Sequence, residues 1–234
     1  MIRPVKTKSV ADSVYEQLRD MIYRGELVPG ARLMAEREMA EMFNVGRPTV
    51  RSAIQRLTDM GLVTTRRGVG TFVLEANDSL EKKPFLQLLN GEEFSISAIQ
   101  EVRMALEGKS AELAAKRATD QDIRKIRRIL VQLQEERQIE QMSIGTDIVF
   151  HMNIAYASKN IVHIHLMKSF YDVQTYAMSY SYTKVLQPLG IDEKIDRQHQ
   201  EVVRAIEDRA PLKARQAMED HIQTILEICE DLGI

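Results

Sequence analysis

The sequence predicts a mainly α-helical chain in two parts: an N-terminal winged helix-turn-helix with a small β-hairpin wing, and a C-terminal all-α helical bundle. Three observations predict it. Leu33, Met39, Ala40 and Phe43 recur at helical spacing, Asn44-Val45-Gly46 interrupts them, and Val50, Ala53, Ile54, Leu57 and Met60 restart the pattern. After Gly61 the chain turns to β-prone Leu62-Val63-Thr64-Thr65, then Arg66-Arg67-Gly68-Val69-Gly70, then Thr71-Phe72-Val73, a hairpin pattern with a basic, glycine-bearing tip. Beyond Phe94 the apolar residues recur at spacings of three and four, with no strand or hairpin signal between them.

The elements follow in order. Ser9-x-x-Asp12 reads as a capping box opening a first helix, whose buried stripe is Val10, Val14, Leu18, Met21 and Ile22. That helix ends near Gly25, and Pro29-Gly30 makes a turn. The second helix of the helix-turn-helix opens with Arg47-Pro48-Thr49-Val50-Arg51; proline fits an early helical position, where an N–H would lack an intrahelical acceptor. From Glu75 to about Glu93 the sequence is polar and broken, the composition of a linker, with a short helix around Phe85 to Leu89. Further helices are expected at about 95–118, 120–138, 143–158, 161–186, 192–209 and 211–232; Thr119-x-x-Asp122 is a second capping box and Pro211 suits a first helical position. The expected organisation is a DNA-binding domain over 1–75, a linker over 76–93 and a helical domain over 94–234.

Composition sets the outer bounds. A chain of 234 residues that is 44% apolar buries substantial cores, and its length alone allows one domain or two; the helix-turn-helix argues for two. The one cysteine, Cys229, excludes an internal disulfide, and no stretch is apolar enough to span a membrane. Met1-Ile2-Arg3-Pro4-Val5-Lys6 lacks the apolar core of a signal peptide, so a cytoplasmic protein is expected. Residues 1–75 hold twelve Lys+Arg against nine Asp+Glu, and residues 76–234 hold twenty against twenty-five. So mild an asymmetry means that DNA is met by a focused basic patch, not by net charge.

The apolar stripe of the second helix faces inward, so Arg47, Thr49 and Arg51 project from the opposite side of its first turns, where a recognition helix meets base edges and phosphates. Arginine suits that place because its planar fork pairs bidentately with guanine or phosphate. Alone these arginines would be a solvated helix face; with helix, turn, helix and basic wing together they read as a double-stranded DNA reader.

The helical part carries an unusual polar set. Asp147 and His151 stand four apart on one helix face, His199 precedes Val202, Val203 and Ile206 by three, four and seven, and His221 shares a stripe with Met218, Ile225 and Ile228. Three histidines and an aspartate thus point into one core from three helices. Imidazoles and a carboxylate are donors for Zn²⁺, and also for Ni²⁺, Mn²⁺ or Fe²⁺; the competing reading is a set of hydrogen-bonded core residues.

These residues resemble known families. Ala35-Glu36-Arg37-Glu38-Met39-Ala40, Val45-Gly46-Arg47-Pro48-Thr49-Val50-Arg51, Gly61-Leu62-Val63 and Arg67-Gly68-Val69-Gly70-Thr71-Phe72-Val73 are similar to the GntR family of bacterial transcription factors. The resemblance implies DNA contacts from Arg37, Arg47, Thr49 and Arg51 on the helices and from Arg67 and Gly68 on the wing. Gly46 departs from it, standing where the family has serine or threonine, a weaker N-cap. Glu101-Val102-Arg103-Met104-Ala105-Leu106-Glu107, Asp147-x-x-x-His151, His199-Gln200-Glu201-Val202-Val203 and Ala214-x-x-x-Met218-x-x-His221 resemble the FCD effector domain of the FadR-type branch. This implies a metal held by Asp147, His151, His199 and His221, with Arg103 gripping an acidic effector such as a hydroxy acid, a sugar acid or a dicarboxylate. Glu107, four residues on, offers Arg103 a competing salt bridge. The expected protein is a homodimeric repressor on a pseudo-palindromic operator, relieved by the acid; the alternative is a metal-dependent hydrolase fused to a DNA-binding module.

The remaining candidates are weaker. His163 and His165 lie on different helix faces and read as surface or packing residues; Tyr171, Tyr176, Tyr180 and Tyr182 at helical spacing read as core, with a pocket-lining role as the other option. Cys229 beside Ile228 reads as structural. Gly68-Val69-Gly70 lacks the strand-to-helix context of a nucleotide loop.

Overall fold

The computed structural model describes residues 9–73, 96–138, 144–181 and 192–231, which fall into two compact units divided at Leu74/Glu75. The expected linker and its short helix lie outside the described residues, as do the side chains of Tyr176, Tyr180, Tyr182 and Cys229.

The first unit holds helices α1 (Val10–Tyr23), α2 (Glu36–Phe43) and α3 (Arg47–Asp59) and strands β1 (Val63–Arg66) and β2 (Gly70–Val73). The Ser9 capping box forms: the Asp12 N–H donates to Ser9 Oγ at 3.0 Å, and the Ser9 N–H donates back to Asp12 at 3.1 Å. Val14, Leu18 and Ile22 bury one face of α1 against α3, which presents Val50, Ala53, Ile54 and Leu57. Each valine, leucine or isoleucine so withdrawn from water contributes about 1.5–3 kcal/mol. Arg56 crosses from α3 to pair with Asp12 and to lie over the Tyr15 ring, 4.1 Å from its centroid.

Helix α2 stops because Asn44 takes a left-handed conformation, φ 52° and ψ 49°, which asparagine tolerates better than most residues. Val45 N–H then reaches back to the Ala40 carbonyl at 2.9 Å, closing the tight turn between the two helices. The strands pair antiparallel with Val63 opposite Val73 and Arg66 opposite Gly70, so each runs one residue from the expected bounds. The 30–33 segment adds to the wing's edge through Leu33 N–H to the Thr71 carbonyl and Val73 N–H to the Ala31 carbonyl. At Gly70, φ is 144°, a conformation that calls for glycine, and the space a Cβ would take is filled by the Arg32 guanidinium, 2.7 Å away at Nε.

The second unit is helical throughout its described residues: α4 (Ile96–Arg117), α5 (Asp120–Gln138), α6 (Ile144–Ala157), α7 (Ile161–Ser181), α8 (Asp192–Glu207) and α9 (Pro211–Asp231). The expected helices and the observed ones agree within two or three residues at the described ends. The Thr119 capping box on Asp122 forms, and Pro211 opens α9 as its first residue. Helix α4 packs along α9 and also meets α6, α7 and α8. Leu133, Phe150, Ile154, Val202, Met218 and Ile222 lie in one apolar cluster, in which small Ala111, Ala114 and Ala115 let α4 approach closely. No helix among the described residues is long and apolar enough to cross a membrane.

Candidate functional site

In the first unit the residues expected to face DNA lie on the exposed side of α3 and at the wing tip. Arg47 and Arg51 leave α3 with 60% and 66% of their side chains exposed, opposite buried Val50 and Ala53, and Thr49 is partly exposed between them. Gly46 is the N-cap of α3 and supplies no side-chain hydrogen bond, so the departure from serine or threonine leaves a real gap. A groove of about 480 Å³ runs along this turn, lined among others by Arg37, Asn44, Gly46 and Arg47. Arg67 and Gly68 form the exposed tip of the wing; Gly68 has φ 77° and open space where a Cβ would be, which lets another backbone come close.

One residue of this face escaped the sequence reading. Glu36, at the first position of α2, accepts from Arg51 Nε at 3.2 Å and from its terminal nitrogen at 2.9 Å, and stands 3.9 Å from Arg47. The Arg51 hydrogen bond, more than burial, sets the balance that holds the Glu36 carboxyl below its usual range. The carboxylate holds the Arg51 guanidinium by two hydrogen bonds and offsets part of the positive field of Arg51 and Arg47. Only the folded helix-turn-helix brings residues fifteen apart together.

In the second unit Asp147, His151, His199 and His221 do converge, from α6, α8 and α9. All four are buried, the histidines to 1% exposure or less. One ring nitrogen from each histidine lies within 4.8 Å of the others. His199 Nε2 is 3.3 Å from His221 Nε2 and 3.6 Å from Asp147 Oδ1, and His151 Nε2 is 3.7 Å from Asp147 Oδ2. Ligand atoms around a tetrahedral ion with bonds of about 2.1 Å stand about 3.4 Å apart; the three histidine nitrogens form a group able to hold a divalent transition metal, with the Asp147 carboxylate 3.6 and 3.7 Å from two of them.

Behind the histidines lies an ion network. Arg103 is 1% exposed and donates from Nε to Glu107 Oε1 at 2.8 Å, while its terminal nitrogen lies 3.0 Å from His151 Nε2 and 4.0 Å from Asp147 Oδ2. Tyr171, fully buried on α7, donates its hydroxyl to the same Glu107 oxygen at 2.8 Å. Glu107 Oε2 is 2.5 Å from His151 Nδ1. A guanidinium only donates, so His151 Nε2 accepts and the proton sits on Nδ1, facing the carboxylate. Burial alone would push the Glu107 carboxyl up, but Arg103 and His151 reverse this and hold it far below the carboxylate range. Burial works against the Arg103 cation as well, and Glu107, Tyr171 and Asp147 together outweigh it.

Arg103 is therefore engaged on both sides: Nε by Glu107, the competing salt bridge of the sequence, and the terminal nitrogen by His151 and Asp147. The sequence offers Glu107 as a salt-bridge partner and Tyr171 as a core aromatic or pocket-lining residue, and the structure joins the two. A glutamate on the inward stripe of α4, one turn beyond an inward arginine, was the available signal. His163 is a packing residue, bonded at 2.7 Å to Ser110 Oγ, and His165 is exposed.

Comparison with known proteins identifies both units. Residues 10–73 match the model for bacterial regulatory proteins of the gntR family, and residues 98–224 match the FCD domain. The chain belongs to the GntR family of bacterial regulators. This GntR chain is 31% identical over 227 residues to the putative L-lactate dehydrogenase operon regulatory protein of Escherichia coli K12, covering 94% of this chain and 86% of the relative. It is 26% identical over 232 residues to the Glc operon transcriptional activator of the same organism, covering 97% and 91%. Among solved structures, a Streptococcus agalactiae GntR protein aligns at TM-score 0.50 and 25% identity, over 93% of this chain and 99% of that one. The protein is a bacterial DNA-binding transcriptional regulator; GntR regulators bind DNA operators and FCD domains bind small-molecule effectors. The hydrolase alternative finds no support, since the matched families and relatives are regulators and not enzymes.

Proposed function

We propose that this GntR regulator is a homodimeric, cytoplasmic repressor whose hold on a pseudo-palindromic operator is modulated by a small organic acid bound at a metal centre in residues 94–234. The observation that carries it is the convergence of three buried histidine nitrogens and the Asp147 carboxylate beside a buried arginine. Asp147, His151, His199 and His221 would hold the ion, Zn²⁺ first and Ni²⁺, Mn²⁺ or Fe²⁺ as the other candidates. The bound ion supplies Lewis acidity toward an acid's carboxylate and hydroxyl oxygens.

The chain's own residues do the rest. Glu107 keeps the His151 proton on Nδ1 and so keeps the Nε2 lone pair available. The terminal nitrogen of Arg103, 3.0 Å from His151 Nε2, is the donor that would meet the acid's carboxylate, a charge-assisted bond in a dry site. Arg37, Arg47, Thr49, Arg51, Arg67 and Gly68 meet the operator, with α3 in the major groove and the wing on the flanking backbone. Repression is the proposed sign because blocking a promoter requires only occupancy of the DNA. The relative named for an L-lactate dehydrogenase operon supports an acid as the signal.

Operator binding measured by anisotropy with the metal-loaded protein tests the reading. A hydroxy acid, sugar acid or dicarboxylate is expected to shift affinity, and His199→Ala to abolish that shift. Full response in His199→Ala would overturn it.

A further inference from the structure

One buried polar side chain is used by nothing described so far. Gln100 on α4 is fully buried, and both its amide nitrogen and its carbonyl oxygen are withdrawn from solvent without a hydrogen-bond partner. A buried carboxamide left so costs free energy, because water's hydrogen bonds have been given up with no replacement. Such groups are rare in native proteins and each needs an explanation, a bound partner among them.

Its position says what occupant. On a helix turning 3.6 residues per turn, Gln100, Arg103 and Glu107 share one face, and all three are buried. Gln100 thus stands one turn before Arg103, offset by about 4.5 Å along the axis, the span of a three- or four-carbon chain. The polar stripe of α4 continues past the arginine into a group that both donates and accepts.

We propose that Gln100 is a specificity-determining residue that hydrogen-bonds a hydroxyl three or four carbons from the carboxylate of the effector, so the site selects a polyhydroxylated acid over a short one. This rests on the acid-sensing reading above. A hydroxyl satisfies both halves of a carboxamide, accepting from Nε2 and donating to Oε1. A second carboxylate would leave Oε1 bare, and a three-carbon 2-hydroxy acid carries its hydroxyl beside the carboxylate, not a helical turn away from it.

The test uses full-length, metal-loaded protein, wild type and Gln100→Met, a swap that keeps length and volume while removing the amide. Binding of D-gluconate and L-lactate is measured by calorimetry, and melting is followed without ligand. Wild type is expected to prefer gluconate by about tenfold or more, the worth of one well-paired hydroxyl. In Gln100→Met that preference collapses, lactate binding stays within about twofold, and the ligand-free melting temperature rises because an unpaired polar group has gone. An unchanged gluconate-to-lactate ratio, or a ligand-free melting temperature that falls, overturns the Gln100 assignment and leaves acid sensing standing. If neither acid binds either protein, the acid-sensing reading fails and this inference with it.

Discussion

Glu107 and His151 meet at 2.5 Å through Oε2 and Nδ1, in a place from which water is excluded. The contact decides which imidazole nitrogen is left to face Asp147 and His199, and with it whether α6 offers a ligand to a metal.

That relationship gives the first prediction. Glu107→Gln keeps the volume but removes the charge that fixes the imidazole tautomer and offsets Arg103. Affinity for Zn²⁺, read by competition with a chromogenic chelator, should fall about 10–100-fold, the usual effect of losing a carboxylate behind a histidine ligand. Unchanged affinity would mean that the pair only packs.

Glu36 makes a prediction at the other end of the chain. Glu36→Gln frees Arg51 and Arg47 from a carboxylate at 2.9 and 3.9 Å. Affinity for a random duplex should rise severalfold at low salt, and the slope of log affinity against log salt should steepen by up to about one. Specificity for the operator should fall, because the arginines lose the partner that orders them. Anisotropy titrations at two salt concentrations measure all three.

The vacant cap on α3 can be filled. A Cβ at Gly46 would meet Pro48 Cδ at 3.5 Å, ordinary contact, and the residue already has cap geometry at φ −70° and ψ 145°. Gly46→Ser should stabilise the first unit by a few tenths of a kcal/mol, whereas Ser9→Ala, which removes a formed capping box, should cost about 1 kcal/mol. Chemical denaturation checks both.

Glu112 supplies a pH dependence. Hydrogen bonds from Lys109 at 2.8 Å and Lys116 at 2.6 Å, which outweigh the cost of burial, bring its carboxyl down to about 2. The folded value lies below the unfolded one, so the stabilisation is complete above about pH 4.5 and is lost as pH falls toward 2. The gap in melting temperature between wild type and Glu112→Gln should be widest at neutral pH and close over that window. A gap that widened in acid would contradict the assignment.

Much of the fold was legible because local signals agree with it. Ser9 and Thr119 announce their helices by capping boxes that form, Asn44 is a residue able to take the left-handed stop, and the glycines at 68 and 70 mark a tip with positive φ. The inward histidines were legible because each sits on an apolar stripe of its own helix. What local periodicity does not carry is which buried charges meet across helices. Glu107 with Tyr171, 64 residues apart, and Glu36 with Arg51 are products of packing. Helix α4 is the hardest case, since the face that carries Gln100, Arg103 and Glu107 passes into alanines, so polar residues occupy a buried stripe where apolar ones would be expected.

The central claim is that a metal held by Asp147, His151, His199 and His221 makes the acid site. Calorimetric titration of small hydroxy and sugar acids into metal-loaded and chelator-stripped protein, with metal content measured on both, tests it most directly. Loaded protein should carry about one ion per chain and bind at least one acid, and stripped protein should bind none. Equal binding by the stripped protein would contradict the account.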